Sequence, residues 1–67
     1  MEKFKYRISR MVEGVIVDSY AIESDSRLSA LNLSSLLKCS FSGIEMNNNP
    51  IYYFLDSFDN GYMVEQL

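Results

Sequence analysis

Histidine and tryptophan are absent from the 67-residue chain, and it holds one cysteine, one proline and three glycines. Without histidine the chain lacks the commonest general base and metal ligand, and Cys39 has no imidazole to activate it. A single cysteine forms no intramolecular disulfide, which excludes a disulfide scaffold. So little glycine and proline excludes collagen-like and low-complexity chains. Long apolar runs are also missing: the longest, Ile51 to Leu55, falls far short of the roughly 20 residues that span a bilayer. The opening Met1-Glu2-Lys3-Phe4-Lys5 has no apolar stretch of the signal-peptide kind. These absences lead to the expectation of a reduced, cytoplasmic setting.

What is present is the composition of a globular chain: 48% apolar, 13% aromatic and 22% charged. The length suits a single small domain over residues 1–67. Net charge is −3, which makes a phosphate backbone or an anionic membrane a poor default partner. The charge is unevenly placed. Lys3, Lys5, Arg7 and Arg10 face only Glu2 in residues 1–10, whereas Arg27 and Lys38 face eight acids in the rest. A basic first strand on an acidic body is the expectation.

Phe4, Tyr6 and Ile8 alternate with Lys5, Arg7 and Ser9, the period of a half-buried strand. Glu13-Gly14 offers a tight reversal, and Val15 to Glu23 reads as a second strand with an interruption at Asp18-Ser19. From Ser24 to Ser42 seven serines interleave with leucines. Leu33, Leu36 and Leu37 make a short helical stripe. Two starts are open: Ser24, Asp25 or Ser26 caps a helix beginning near Arg27, or Asn32 or Ser34 caps one over Ser35–Cys39. Gly43 is the expected exit. Ile44 to Met46 is a short strand candidate, and Asn47 to Pro50 a loop. Ile51 to Phe58 and Tyr62 to Leu67 then read as strands joined at Asp59-Asn60-Gly61, where Asn-Gly is a strong hairpin signal. The fold class is α+β: an antiparallel sheet of four to five strands with one helix on one face, in the order ββ-α-βββ. For so small a core, nine aromatic residues leave enough for a dimer interface, so a homodimer is among the expected states.

Chemistry-bearing constellations are thin. Asp56 to Gly61 superficially resembles the start of a calcium loop, but Phe58 and Leu67 stand where ligands are needed, so an acidic turn is the better reading. Cys39 beside Lys38 reads as a small buried residue late in the helix. Asp18, Glu45 and Glu65 are too scattered to suggest paired catalytic carboxylates. No catalytic residue, metal or cofactor is expected, nor any small-molecule partner. One reading has Lys3, Lys5 and Arg7 track phosphates while Tyr52, Tyr53 and Phe54 stack bases; the alternative is that the lysines solvate an edge strand.

Taken as element order, Phe4–Glu23, Leu28–Cys39 and Ile44–Leu67 resemble the small α+β proteins that phages and mobile elements encode against host enzymes, some anti-CRISPR proteins among them. Val15–Ser24 with Leu33–Cys39 is also similar to acidic phage inhibitors of uracil-DNA glycosylase. No signature motif carries over to any position. The resemblance implies a non-enzymatic inhibitor, in the host cytoplasm, that occludes a nucleic-acid-binding surface of a host protein. A nucleic-acid-binding accessory module is the alternative. The basic first strand departs from a DNA mimic, whose carboxylates would have to come from Asp18, Glu45, Asp56, Asp59 and Glu65. The expected partner surface is Asp56, Asp59 and Glu65 beside Tyr52 and Phe54, on the premise that Ile51, Tyr53 and Leu55 face the helix.

Overall fold

The computed structural model describes residues 3–46 and 48–67. Five strands and one helix follow in the order β1 (Phe4–Val12), β2 (Val15–Ser24), α1 (Ala30–Leu37), β3 (Ser40–Glu45), β4 (Ile51–Leu55) and β5 (Gly61–Gln66). All neighbouring strands are antiparallel in one sheet, ordered β2-β1-β5-β4-β3. The first and last strands therefore meet in the middle, and β2 and β3 form the edges. The expected fold class and element order are those observed.

Alternation in β1 puts Tyr6 and Ile8 wholly inside, with Phe4 packed against them. Their row-mates across the sheet join them: Ile8 opposes Val64, Val64 opposes Tyr52, and Phe54 opposes Tyr62. The buried cluster is Tyr6, Ile8, Leu33, Cys39, Phe54 and Val64. Leu33 is the helix's contribution, flanked by Leu28 and Leu37. The helix thus covers part of one face of the sheet, over Leu33's neighbours, while Tyr20, Phe41 and Ile44 on the same face stay half exposed. On the other face lie Lys5, Arg7, Ser9 and Met11 of β1 with their partners.

The helix starts at neither expected cap. Ser29 is the N-cap: its hydroxyl accepts from the Asn32 backbone N–H at 3.2 Å, and the Asn32 carboxamide oxygen accepts from the Ser29 N–H at 3.1 Å. That reciprocal pair is a capping box with Asn in the usual Glu or Gln position, which is why the pattern is easily passed over. The exit is Lys38, left-handed at φ 56°, and Gly43 lies inside β3 instead.

Both tight hairpins owe their shape to positive-φ residues. Glu13 (φ 52°) and Gly14 (φ 79°) form the two-residue turn between β1 and β2, the arrangement whose twist matches paired strands. At the β4–β5 connection the expected Asn-Gly turn is not the one used. β4 ends at Leu55, because the Asp59 N–H donates to the Asp56 carbonyl at 3.2 Å and Asp59 takes the left-handed position at φ 61°. Ser57 to Asp59 make a three-residue loop, and Gly61 begins β5. The interruption expected at Asp18-Ser19 falls one residue earlier: the register shifts between Arg10 and Met11 and leaves Val17 unpaired. Asn47, in the expected loop before Pro50, lies outside the described residues.

Candidate functional site

The five residues expected to form a partner surface are not brought together. Phe54 is 1% exposed and Tyr52 packs against the core, so both face the helix. The premise behind the expected surface is reversed, since Ile51, Tyr53 and Leu55 turn to the far face. The cause is the register: Tyr52 and Phe54 lie in the same rows as Ile8, Val64 and Tyr62, and the row that holds the core sets the face. Glu65 is paired with Ile51 and Arg7, at the end of β5 remote from the Asp56–Asp59 loop. Asp56 is engaged within its own loop. One carboxylate oxygen accepts the Phe58 and Asn60 backbone N–H groups at 2.8 and 3.0 Å, and the other accepts the Asn60 side-chain amide at 3.2 Å. Desolvation raises its pKa, but these hydrogen bonds together hold it below the ordinary carboxylate value. Asp59 alone remains an exposed, uncommitted carboxylate there.

A mixture of apolar and acidic side chains of the kind expected at β4–β5 occurs instead on β2. Val15 is 62% exposed, and Ile16, Val17 and Tyr20 are each 51% exposed. Between Arg10 and Arg27 every charged residue is acidic: Glu13, Asp18, Glu23 and Asp25. Glu23 and Asp25 are partly neutralised by Lys5 and Lys3 at 3.8 and 3.6 Å. Glu13 and Asp18 sit beside the exposed apolar residues. β2 pairs on one side only, and from Asp18 to Ser24 its pairing with β1 runs without a break. Its other side presents the backbone donors and acceptors of an open strand edge. Natural sheets blunt such edges with Lys, Pro, other charges or bulges. Neither β2 nor β3 contains Lys, Arg or Pro, and the bulge at Val17 breaks only the start of the β2 edge, leaving Asp18–Ser24 regular.

That surface was open to inference from sequence. Val15-Ile16-Val17 is three consecutive β-branched residues, and a strand covered on one face cannot bury all three. The one-helix architecture therefore leaves some of them outside. The lysines expected to solvate an edge do not, because β1 is an inner strand. Lys5 and Arg7 also share their face with Tyr53, away from Tyr52 and Phe54, so the basic strand and those two aromatics do not form one nucleic-acid platform.

Cys39 follows the helix rather than ending it. It is buried, its Sγ donates to the Leu37 carbonyl at 3.2 Å, and its carbonyl accepts the Ser34 hydroxyl. Burial pushes the thiol pKa up, and the Asp56 carboxylate adds to the shift, which holds it in the unreactive protonated form. An open depression of about 500 Å³ beside it is lined by Ser34, Lys38, Cys39, Leu55 and Asp56 among others. Among the described residues no cluster of His, Cys, Asp or Glu suits a metal ion, and no helix is long and apolar enough to cross a membrane. Compared with family models, curated proteins and solved structures, the chain matches none.

Proposed function

We propose that this chain is a non-enzymatic binding protein of the inhibitor type that phages and mobile elements encode, and that it grips a host protein through the free edge of β2. The observation that carries this reading is the pairing of an open strand edge with exposed Val15, Ile16, Val17 and Tyr20. In strand addition the backbone edge supplies affinity and alternate side chains supply selectivity. Tyr20 is the anchor, since aromatic residues dominate contact energy in such surfaces. Glu13 and Asp18 favour a partner with basic groups at its binding surface, as in a protein that handles nucleic acid. Occlusion of that surface is the inhibitory act.

Capture from a bacterial lysate tests the proposal when the parent and a Val17→Lys, Tyr20→Ala variant are compared side by side. A lysine on the edge opposes strand addition, and loss of the ring removes the anchor. The parent is expected to retain a specific protein that the variant releases, with both giving the same circular dichroism. Equal retention by the two, or no specific protein on either, would count against the reading.

A further inference from the structure

The sheet face away from the helix carries its own pattern, laid out by the strand register in three rows. One row reads Ala21, Arg7, Glu65, Ile51, Glu45 across the sheet; the next reads Ser19, Ser9, Met63, Tyr53, Gly43; the third reads Ile16, Met11, Gly61, Leu55, Ser40. No helix covers them; Leu55 and Ile16 remain 43% and 51% exposed, Met11, Ile51, Tyr53 and Met63 are half-buried, and Ser9 is buried among its neighbours. We infer that this face is a homodimer interface, in which two copies stack their sheets about a two-fold axis running along β5.

Size and charge both select that axis. Rotation about β5 exchanges β1 with β4 and β2 with β3 while keeping each row level. Tyr53 of one copy then lies over Ser9 of the other, Leu55 over Met11, and Met63 meets its own mate, so large side chains oppose small or flexible ones. In the charged row Glu65, like Met63, meets its own mate on the axis. Arg7 of each copy comes to lie over Ile51 beside that pair, between the carboxylates of Glu65 and Glu45, so the two like charges are bracketed by two guanidinium groups. Arg7 forms no ion pair among the described residues, where the pairs are Lys3–Asp25 and Lys5–Glu23. The perpendicular in-plane axis would instead set Arg7 over Met11 and Glu65 over Gly61, leaving charges on apolar or empty positions. Charge complementarity therefore favours the first.

Area is adequate as well. Five strands and three rows span roughly 24 by 20 Å at ordinary sheet spacings, on the scale of the ~800 Å² per partner of standard interfaces once side-chain relief is included. The chain exposes 4743 Å², whereas a folded monomer of its 7.7 kDa mass exposes on the order of 4300 Å². Exposed apolar residues of β2 and of this face both contribute to the excess. Tyr53 is already oriented for the role: its hydroxyl donates to Glu45 at 2.8 Å, which fixes the ring across the face.

Sedimentation equilibrium over a concentration series, on the full chain, decides the matter. The parent is expected at twice its 7.7 kDa mass. Tyr53→Glu with Met63→Glu should give a folded monomer, with the circular dichroism of the parent. Arg7→Glu should raise the dimer dissociation constant at least about tenfold by placing like charges together, and adding Glu45→Arg should recover most of that loss. The Val17→Lys, Tyr20→Ala variant should dimerise like the parent, which separates this interface from the β2 edge. A monomeric parent overturns the inference; so does a dimer that survives Tyr53→Glu with Met63→Glu, or one that the β2 variant alone disrupts.

Discussion

Tyr6 does two jobs with one side chain. Its ring fills the centre of the core, wholly buried, and its hydroxyl accepts the Leu28 backbone N–H at 2.8 Å. That bond ties the chain leaving β2 to the inner strand β1, so the helix begins over the core. Tyr6→Phe keeps the ring but strands the Leu28 N–H. A loss of about 1–2 kcal/mol is expected, read from urea denaturation midpoints at unchanged slope. Asp56 makes a prediction of a different kind. Its pKa is lower folded than unfolded, so its stabilising effect is complete above the ordinary carboxylate range and lost as pH falls through the depressed folded value. Relative to Asp56→Asn, the parent should be more stable at neutral pH, with the difference shrinking on acidification. A difference that stays constant with pH would contradict this account of the loop.

At the scale of elements, the eight residues of α1 are too few to be helical alone. Capping and the contacts of Leu33 hold the helix in place. Ser29→Ala removes the capping hydroxyl and should cost about 1 kcal/mol in thermal or chemical denaturation. Glu13→Asn should do the reverse, gaining about 0.5–1 kcal/mol, because Asn tolerates the left-handed conformation that Glu13 adopts at φ 52°. Strands were legible wherever a period of two was clear: Phe4, Tyr6 and Ile8 announce the core face of β1 directly. The helix was legible in kind but not in bounds, since serines surround it and several of them can cap. Asp59-Asn60-Gly61 misleads for a related reason. Asp56 captures the nearby amides and moves the turn back by two residues, an effect of side-chain bonding that dipeptide rules do not contain. The candidate site was the least legible part. Which of two alternating sets on β4 faces inward depends on cross-strand register, and local sequence carries no record of it until the neighbours are known.

For the whole molecule, six apolar residues form the buried cluster among the described residues, and Cys39, the one cysteine, has no disulfide partner. Such a core leaves a small margin of stability, and the sheet has a bare face and an open edge besides. The proposed copy on the face and the proposed partner on the edge share Ile16 at their border and otherwise use different residues, with Val17 and Tyr20 outside the three stacked rows. Both proposals rest on the same division of the sheet: helix over part of one side, the proposed copy over the other, the proposed partner at β2. The central claim is that β2 is the element that grips the partner. Amide hydrogen exchange of the chain, free and in complex with the captured protein, tests it most directly. The account predicts that backbone amides between Val15 and Ser24 gain protection in the complex, while those of the Asp56–Asn60 loop are unchanged. Protection confined to that loop or to β3, with β2 exchanging as in the free chain, would contradict it.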